Sequence, residues 1–402
     1  MVSGERTTTL LLTVTGPDRP GVTAALFEAT AEPGVDVLDV EQVVVRGHLT
    51  LGVLLGTSGL AEPDIDRLAG RVTGVAGSLG LTCRAEPGEG EGPGRRAGRL
   101  HVTMLGRPLL PAAVHAVTDE LATRGANVDR IRRLARRPVT ALELDVSGVP
   151  DLADLRRDLT RAAVGHGADV AVSPAGIVRH GRRLVVMDVD STLIRDEVIE
   201  LLAASAGREA DVAAVTERAM RGELDFAASL HERVAALEGL PVGVFDDVRA
   251  RLRLTPGAGT LVRTLHELGF TVALVSGGFM EVVGPLAVSL GIRQARANRL
   301  EVSGGRLTGR VLGSVVDRAA KATALRDFAR AEGLPMSRTV AVGDGANDLD
   351  MLGAAGLGVA FQAKPVVAEQ ADASLTGPYL DSVLFLLGLD ADEIADAAGA
   401  RA

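Results

Sequence analysis

The chain reads as α/β throughout, with two small βαββαβ modules leading into a parallel, doubly wound sheet. Three observations predict this. One strand and helix order occurs twice before residue 176. A stretch of glycine, proline and charge, Glu86-Pro-Gly-Glu-Gly-Glu-Gly-Pro-Gly-Arg95, separates the two copies. From Arg183 onward, short and wholly apolar runs alternate with helical segments.

In the first copy an apolar strand, Thr9 to Thr15, meets a turn at Gly16-Pro17-Asp18-Arg19-Pro20-Gly21 and a helical run to Thr30. Alternating segments at Val35 to Val45 and Leu49 to Leu55 predict two strands. A helix near Asp64 to Leu79 and a short strand at Leu81 to Arg84 complete the module. The second copy repeats the order at Leu100 to Leu105, Ala112 to Arg124, Val128 to Leu134, Val139 to Val146, Leu152 to Val164 and Ala168 to Val172. Gly34-Val35-Asp36-Val37 in one copy corresponds to Gly125-Ala126-Asn127-Val128 in the other. Buried strands are expected at Leu184 to Met187, Val272 to Val275, Thr339 to Val342 and Leu357 to Phe361. The helical stretch from about Glu197 to Leu254 reads as a cap inserted between the first two of these strands. Gly222 is a candidate bend within it, and Gly304-Gly305 predicts a hairpin turn. The expected divisions are 1–85 and 99–176 for the modules, 86–98 for the linker and 180–402 for the last domain.

Composition excludes several function classes. A net charge of -9 provides no overall basic footprint for nucleic acid. No apolar run is long enough to span a membrane, and Leu10-Leu11-Leu12 is too short for a secretory signal. The lone Cys83 cannot form an intrachain disulfide, so a reducing, cytoplasmic setting is expected. The seven histidines lack zinc-ligand spacing.

The chemistry collects at strand ends. Val185-Val-Met-Asp188-Val-Asp190-Ser191-Thr192 sets two carboxylates just beyond one strand, at the edge where open α/β sheets bind ligands. A calcium loop would need glycine where Leu193 stands. Ser276-Gly277-Gly278 follows a second strand, Lys321 lies in a helical segment, and Gly343-Asp344-Gly345-Ala346-Asn347-Asp348 follows a third strand. Only two of the 43 basic residues are lysines, Lys321 and Lys364; the latter is read as structural. In this order the four motifs resemble those of the haloacid-dehalogenase superfamily, a Rossmann-like core with an inserted helical cap. The two leading modules resemble ACT domains, which are ferredoxin-like and commonly bind amino acids. The second copy has Gly106-Arg-Pro-Leu109 in place of the first copy's turn.

The superfamily resemblance implies a role for each residue. Asp188 is the nucleophile toward phosphorus and forms an aspartyl-phosphate. A phosphate monoester repels an anionic nucleophile, so Mg²⁺ is expected on Asp188, Asp344 and the backbone carbonyl of Asp190. Asp190 protonates the leaving oxygen and then activates water. Ser276 and the Gly277 N–H bond the phosphoryl oxygens, and Lys321 neutralises charge.

Asp188-Val-Asp-Ser-Thr-Leu-Ile-Arg-Asp-Glu197 and Met220-Arg-Gly-Glu-Leu-Asp-Phe226-Ala-Ala-Ser-Leu-His-Glu-Arg233 resemble phosphoserine phosphatases in particular. That likeness implies hydrolysis of O-phospho-L-serine to L-serine and phosphate, the last step of serine biosynthesis. Glu197 would meet the substrate ammonium and Arg233 its carboxylate. Met220 and Phe226 would form an apolar lid, with Asn347 near metal and substrate. The alternatives are a phosphatase or phosphotransferase acting on a related ester, or a regulator that has lost activity. The ACT modules imply binding of L-serine or another amino acid with Asp18 as a candidate contact, and a homodimer. A purely dimerising role, with Asp18 a plain turn residue, stays open.

Overall fold

The computed structural model describes residues 8–90, 98–149, 152–176, 181–220 and 224–399. It divides into two compact units, Met1–Arg96 and Ala97–Ala402.

The first unit is an antiparallel sheet of β1 (Thr8–Pro17), β2 (Asp36–Val45), β3 (His48–Gly56) and β4 (Thr82–Glu89), in the order β2-β3-β1-β4. Helices Val22–Thr30 and Glu62–Ser78 cover one face. Alternation explains the packing: Leu10, Leu12 and Val14 of β1 and Leu49, Leu51, Val53 and Leu55 of β3 are buried with Leu26, Leu68 and Val72 of the helices. The last strand runs beyond its expected end, because Glu86 to Glu89 pair with Leu11 to Thr8. The first four residues of the glycine- and proline-rich stretch, Glu86 to Glu89, are therefore strand. An edge strand tolerates Pro87 where a central one would not.

The second unit begins with β5 (Leu100–Gly106), β6 (Asn127–Ala135), β7 (Thr140–Ser147) and β8 (Ala168–Pro174), ordered β8-β5-β7-β6 with helices Pro111–Thr123 and Leu152–Val164. Seven strands follow: β9 (Leu184–Met187), β10 (Thr271–Phe279), β11 (Gln294–Ser303), β12 (Arg306–Leu312), β13 (Thr339–Gly343), β14 (Leu357–Phe361) and β15 (Ala373–Leu375). Their order is β12-β11-β10-β9-β13-β14-β15, and β10, β9, β13, β14 and β15 run parallel. The central strand β9 is buried on both faces, which is why its sequence is uninterrupted Leu-Val-Val-Met. Leu184 and Val186 pack with Leu325 and Phe328, whereas Val185 and Met187 pack with Leu261 and Leu265.

One feature departs from the separate sheets expected for module and core. Ala171 of β8 bridges Ala373 of β15, joining them into one sheet of eleven strands. Asp169 accepts hydrogen bonds from Thr376 N (3.0 Å) and Oγ1 (3.2 Å), and Arg156 pairs with Asp372 at 2.5 Å.

The cap comprises helices Val198–Ala206, Glu209–Met220, Phe226–Ala235 and Val244–Arg251. Its two connections to the core are tied together. Arg195 N donates to Arg253 O (2.9 Å) and Thr255 N to Leu193 O (3.0 Å). Asp196 accepts from the Arg253 backbone N (2.8 Å), Nε (3.1 Å) and Nη2 (2.5 Å). At its other end the cap joins the β11–β12 hairpin, where Gly239 N donates to Leu307 O (2.9 Å) and Leu307 N to Leu240 O (2.8 Å). The hairpin turns at Gly304-Gly305, with φ of 57° and 75°, as their pairing in sequence predicts. Gly222, the candidate bend, lies outside the described residues. Among the described residues no helix is long and apolar enough to cross a membrane.

Candidate active site

The expected residues converge at the carboxyl ends of β9, β10 and β13. Asp188 follows β9 directly and is buried, its N–H donating to Val342 O at 2.9 Å. The chain then makes a tight turn, Val189–Leu193, in which Ser191 takes φ of 55°. That left-handed conformation is uncommon for a residue with a side chain and marks a constrained site. It lets Ser191 Oγ donate to Glu197 Oε1 at 2.8 Å.

Lys321 is fully buried. Its Nζ lies 2.9 Å from Asp188 Oδ1 and 2.7 Å from Asp348 Oδ1. Burial opposes the lysine's charge, but these two carboxylates overcome it and hold its pKa above the ordinary range. Burial lifts Asp188 well above the usual carboxylate range; Asp348 reinforces the rise and Lys321 opposes it.

Asp190 is held at both oxygens: Oδ1 accepts from Val198 N (2.8 Å) and Oδ2 from Ser276 Oγ (3.0 Å). Burial still raises its pKa above the ordinary carboxylate value. Ser276 is fixed in turn by Gly278 N, which donates to its Oγ at 2.7 Å. Both glycines allow close approach. A Cβ on Gly277 would stand 3.0 Å from Phe226 Cζ, and one on Gly278 would stand 2.8 Å from Asp190 Oδ2. Thr192 Oγ1 donates to Asp344 Oδ1 at 3.0 Å, and burial, then Asp348, push Asp344 up to about 6.

A pocket of about 120 Å³ opens over this array. Asp188, Asp190, Asp344, Asn347, Gly277 and Gly278 line it from the core side; Glu197, Phe226, Leu230 and Arg233 line it from the cap side. Ile199 and Phe279 complete the wall. Burial drives Glu197 up to about 7, with Asp190 adding to the rise and the Ser191 hydroxyl opposing it. Burial also lowers Arg233, while Glu197 and Glu200 support its charge. The pocket thus presents an acid and a base from the cap to whatever sits over Asp188.

The core side fits a divalent metal. Oxygens of Asp188, Asp344 and Asp348 come within 4.8 Å of one another. The Lys321 contact to Asp188 Oδ1 is an ion pair out of hydrogen-bond alignment, so that buried oxygen lacks a directed donor. An all-oxygen donor set suits a hard cation. A second cluster, His101 with Glu143 and Asp145, is knit by ion pairs instead: His101 to Asp145 at 2.7 Å and Arg132 to Glu143 at 3.0 Å.

Most sequence-predicted residues therefore meet at one site. Ser276 and Lys321 stand behind the pocket wall and contact its acids. Met220 ends a cap helix, and its side chain lies outside the described residues. Lys364 precedes the helix Pro365–Ala368, away from the pocket lining. Asp18 belongs to the first unit, where its side chain is exposed and its N–H donates to Gly47 O at 2.8 Å.

Three contributors were not singled out from sequence. Asp348 is fully buried against Lys321, and its only local signal is its place four residues after Asp344. Thr192 steadies Asp344 from the end of the neighbouring strand. Asp196 clamps the cap hinge, a partnership 57 residues long that leaves no local pattern.

Comparison with known proteins decides the family. A haloacid dehalogenase-like hydrolase model matches residues 185–353, and ACT-domain models match 8–86 and 100–173. Phosphoserine phosphatase of Streptomyces coelicolor is 55% identical over 388 residues, covering 96% of this chain and 93% of that protein. The chain belongs to the phosphoserine phosphatase family. The Mycobacterium tuberculosis member is 52% identical, over 96% of this chain and 94% of its own length. Among solved structures, a probable phosphoserine phosphatase from Vibrio cholerae superposes with a TM-score of 0.57 at 34% identity, covering 75% of this chain and 89% of that one. A haloacid-dehalogenase family hydrolase from Salmonella enterica gives 0.61 at 27% identity, covering 72% and 99%. The hydrolase match falls on the parallel-sheet domain, and the two ACT matches fall on the two four-stranded βαββαβ modules.

Proposed function

We propose that this chain hydrolyses O-phospho-L-serine to L-serine and phosphate through an aspartyl-phosphate on Asp188. The observation that carries this reading is the pocket itself, which sets Glu197 and Arg233 on the cap opposite Asp188 and Asp190 on the core. An amino-acid ester needs an acid for its ammonium, a base for its carboxylate and a nucleophile for its phosphorus.

Asp188 attacks phosphorus while Asp190, its pKa raised by burial, gives its proton to the departing serine oxygen. Asp190 then takes a proton from the water that cleaves the acyl phosphate. Ser276 and the Gly277 N–H hold phosphoryl oxygens, and Lys321 offsets charge on Asp188 throughout. Phe226, over Gly277, excludes water from the apolar side of the pocket, and Asn347 supplies a polar contact beside it. Asp188, Asp344 and the Asp190 carbonyl are the proposed holders of Mg²⁺, which when bound supplies positive charge to the phosphate. Asp348, adjoining the same oxygens, keeps Lys321 in place.

The remaining proposals concern organisation. Residues 1–85, extended by Glu86 to Glu89 of β4, and 99–176 form the ACT modules, the rest of 86–98 the linker and 180–402 the phosphatase. L-serine or another amino acid binds at the first module near Asp18, and paired modules support a cytoplasmic homodimer. No nucleic-acid or membrane partner is proposed.

Phosphate release from phosphoserine tests the activity, and acid-quenched peptide mapping with labelled substrate tests the chemistry. Label is expected on Asp188 and absent in Asp188→Asn. Asp190→Asn should slow both half-reactions. Label on Ser191 or Thr192 would overturn the mechanism.

A further inference from the structure

We propose that Asn298 is a positioning residue that locks the Ser276–Gly277 loop to the segment carrying Lys321. It rests on the assignment of that loop and lysine to the phosphoryl group. Asn298 lies on β11 and is 2% exposed. Its Nδ2 donates to Gly277 O at 2.8 Å, and its Oδ1 accepts from Val316 N at 2.8 Å. The amide orientation is forced, because a backbone carbonyl can only accept and a backbone N–H can only donate.

The reason such a bridge is needed lies in the strand. β10 pairs with β11 in regular register up to Val275↔Arg296, and the register shifts before Phe279↔Asn298. Residues 276 to 278 have left the ladder, Gly277 and Gly278 to line the pocket and Ser276 to meet Asp190 behind its wall, and the Gly277 carbonyl loses its strand partner. The Asn298 side chain replaces that partner. Fixing this carbonyl fixes the plane of the Gly277–Gly278 peptide, whose N–H holds Ser276 Oγ at 2.7 Å. Ser276 Oγ in turn donates to Asp190 Oδ2.

The other end of the amide reaches the lysine. Val316 lies two residues before helix Arg318–Ala331, which is capped by Asp317 Oδ1 accepting from Ala320 N at 2.8 Å and which carries Lys321. One side chain therefore sets the spacing between the phosphoryl hydrogen-bond donors and the phosphoryl-side cation. It touches neither substrate nor reacting atoms.

Asn298→Asp tests this in the full-length, Mg²⁺-loaded enzyme. The variant keeps the acceptor for Val316 N but, when ionised, cannot donate to Gly277 O. At pH 8 we expect kcat and the affinity for inhibitory orthovanadate each to fall at least tenfold, with L-serine product inhibition changed less than twofold. As pH falls toward 5.5 the carboxyl gains a proton that can donate to Gly277 O, so the deficit relative to wild type should shrink. The deficit of Asn298→Ala should not. Unchanged kcat and vanadate inhibition, with or without a lower melting temperature, overturn the proposal. If Asn298→Asp does not fold, Asn298→Ser carries the comparison; failure of both to fold also counts against it, since Asn298 would then serve the fold first. Ser276→Ala in the same assay separates the two readings. If it leaves vanadate inhibition intact, the phosphoryl assignment itself fails; if it weakens inhibition and Asn298→Asp does not, only the role of Asn298 fails.

Discussion

Replacing Glu197 with glutamine should make the unliganded protein more stable and the enzyme worse. Burial pushes this carboxyl from 4.5 to about 7, chiefly because the cap and core remove it from water. A shift of that size corresponds to about 3 kcal/mol of differential stability. The sign follows from the direction. A carboxyl whose folded pKa is raised costs nothing below its unfolded value, costs progressively more as pH rises from about 4.5 to 7, and carries the full cost above that. Glutamine resembles the neutral form, so Glu197→Gln should raise the melting temperature at pH 8 by about 6 °C, at roughly 2 °C per kcal/mol for a domain of this size. At pH 4.5 the difference should vanish. Turnover should move the other way, because in the proposed pose the ionised carboxylate meets the substrate ammonium. Losing a buried charged partner is worth about 2 to 5 kcal/mol, roughly 30-fold to 5,000-fold in kcat/KM for phosphoserine. For the wild type, kcat/KM should fall as pH drops through about 7, and more steeply for phosphoserine than for an ester without an ammonium. Thermal scans at the two pH values and paired kinetics decide the matter. A variant that is no more stable at pH 8 and keeps full kcat/KM would refute the reasoning.

Further outcomes can be checked alongside. Arg233→Ala should cost phosphoserine turnover about 2 to 5 kcal/mol and spare an ester lacking the carboxylate, and equal losses would assign Arg233 to the fold. Exhaustive chelation should abolish turnover, Mg²⁺ should restore it, and Ca²⁺ should inhibit because its looser coordination misaligns nucleophile and phosphorus; a metal titration reads all three. If L-serine acts through the first module, a chain beginning at Ala97 should lose that control and keep product inhibition, as dose–response curves on both chains would show. A cut near Arg179 is a poorer test, because it strips β8 from β15 and leaves Asp372 without Arg156.

What the sequence made legible was whatever leaves a local mark. The buried strand Leu184 to Met187, the Gly304-Gly305 hairpin and the helix Leu152–Val164 stand where apolar runs, paired glycines and helical periodicity put them. Asp188, Asp190 and Asp344 were legible because each follows closely on a strand end. Partnerships across long sequence separation were not. The three-residue β15 has no pattern of its own, yet it carries the seam to β8. Asp196 meets Arg253 across the whole length of the cap, and Asn298 stands in an ordinary strand whose two backbone partners appear only once β10 has bulged. The end of β4 was hidden for the opposite reason. Its local composition, Glu86-Pro-Gly-Glu89, reads as loop, and its pairing with β1 overrides that preference.

The electrostatics of the pocket argue for an order of binding. Among the described residues, five carboxylates, Asp188, Asp190, Glu197, Asp344 and Asp348, line it or stand behind its wall against two cations, Lys321 and Arg233. Burial lifts Asp188, Asp190, Glu197 and Asp344 above their ordinary pKa values, so the unliganded site stores electrostatic cost in its acids. A phosphate dianion entering that site alone would add to the repulsion. The proposed Mg²⁺ site, with Asp188 and Asp344 on the core side, would therefore fill before the ester arrives. In the proposed pose the cap side is discharged differently, by the substrate's own ammonium at Glu197. An ester without that ammonium relieves nothing there, whereas phosphoserine offsets the cost built into the cap. On that proposal, binding energy from the remote end of the substrate is spent at a buried acid several atoms from phosphorus, and selectivity would arise from that uncompensated charge as much as from any contact the wrong ester lacks.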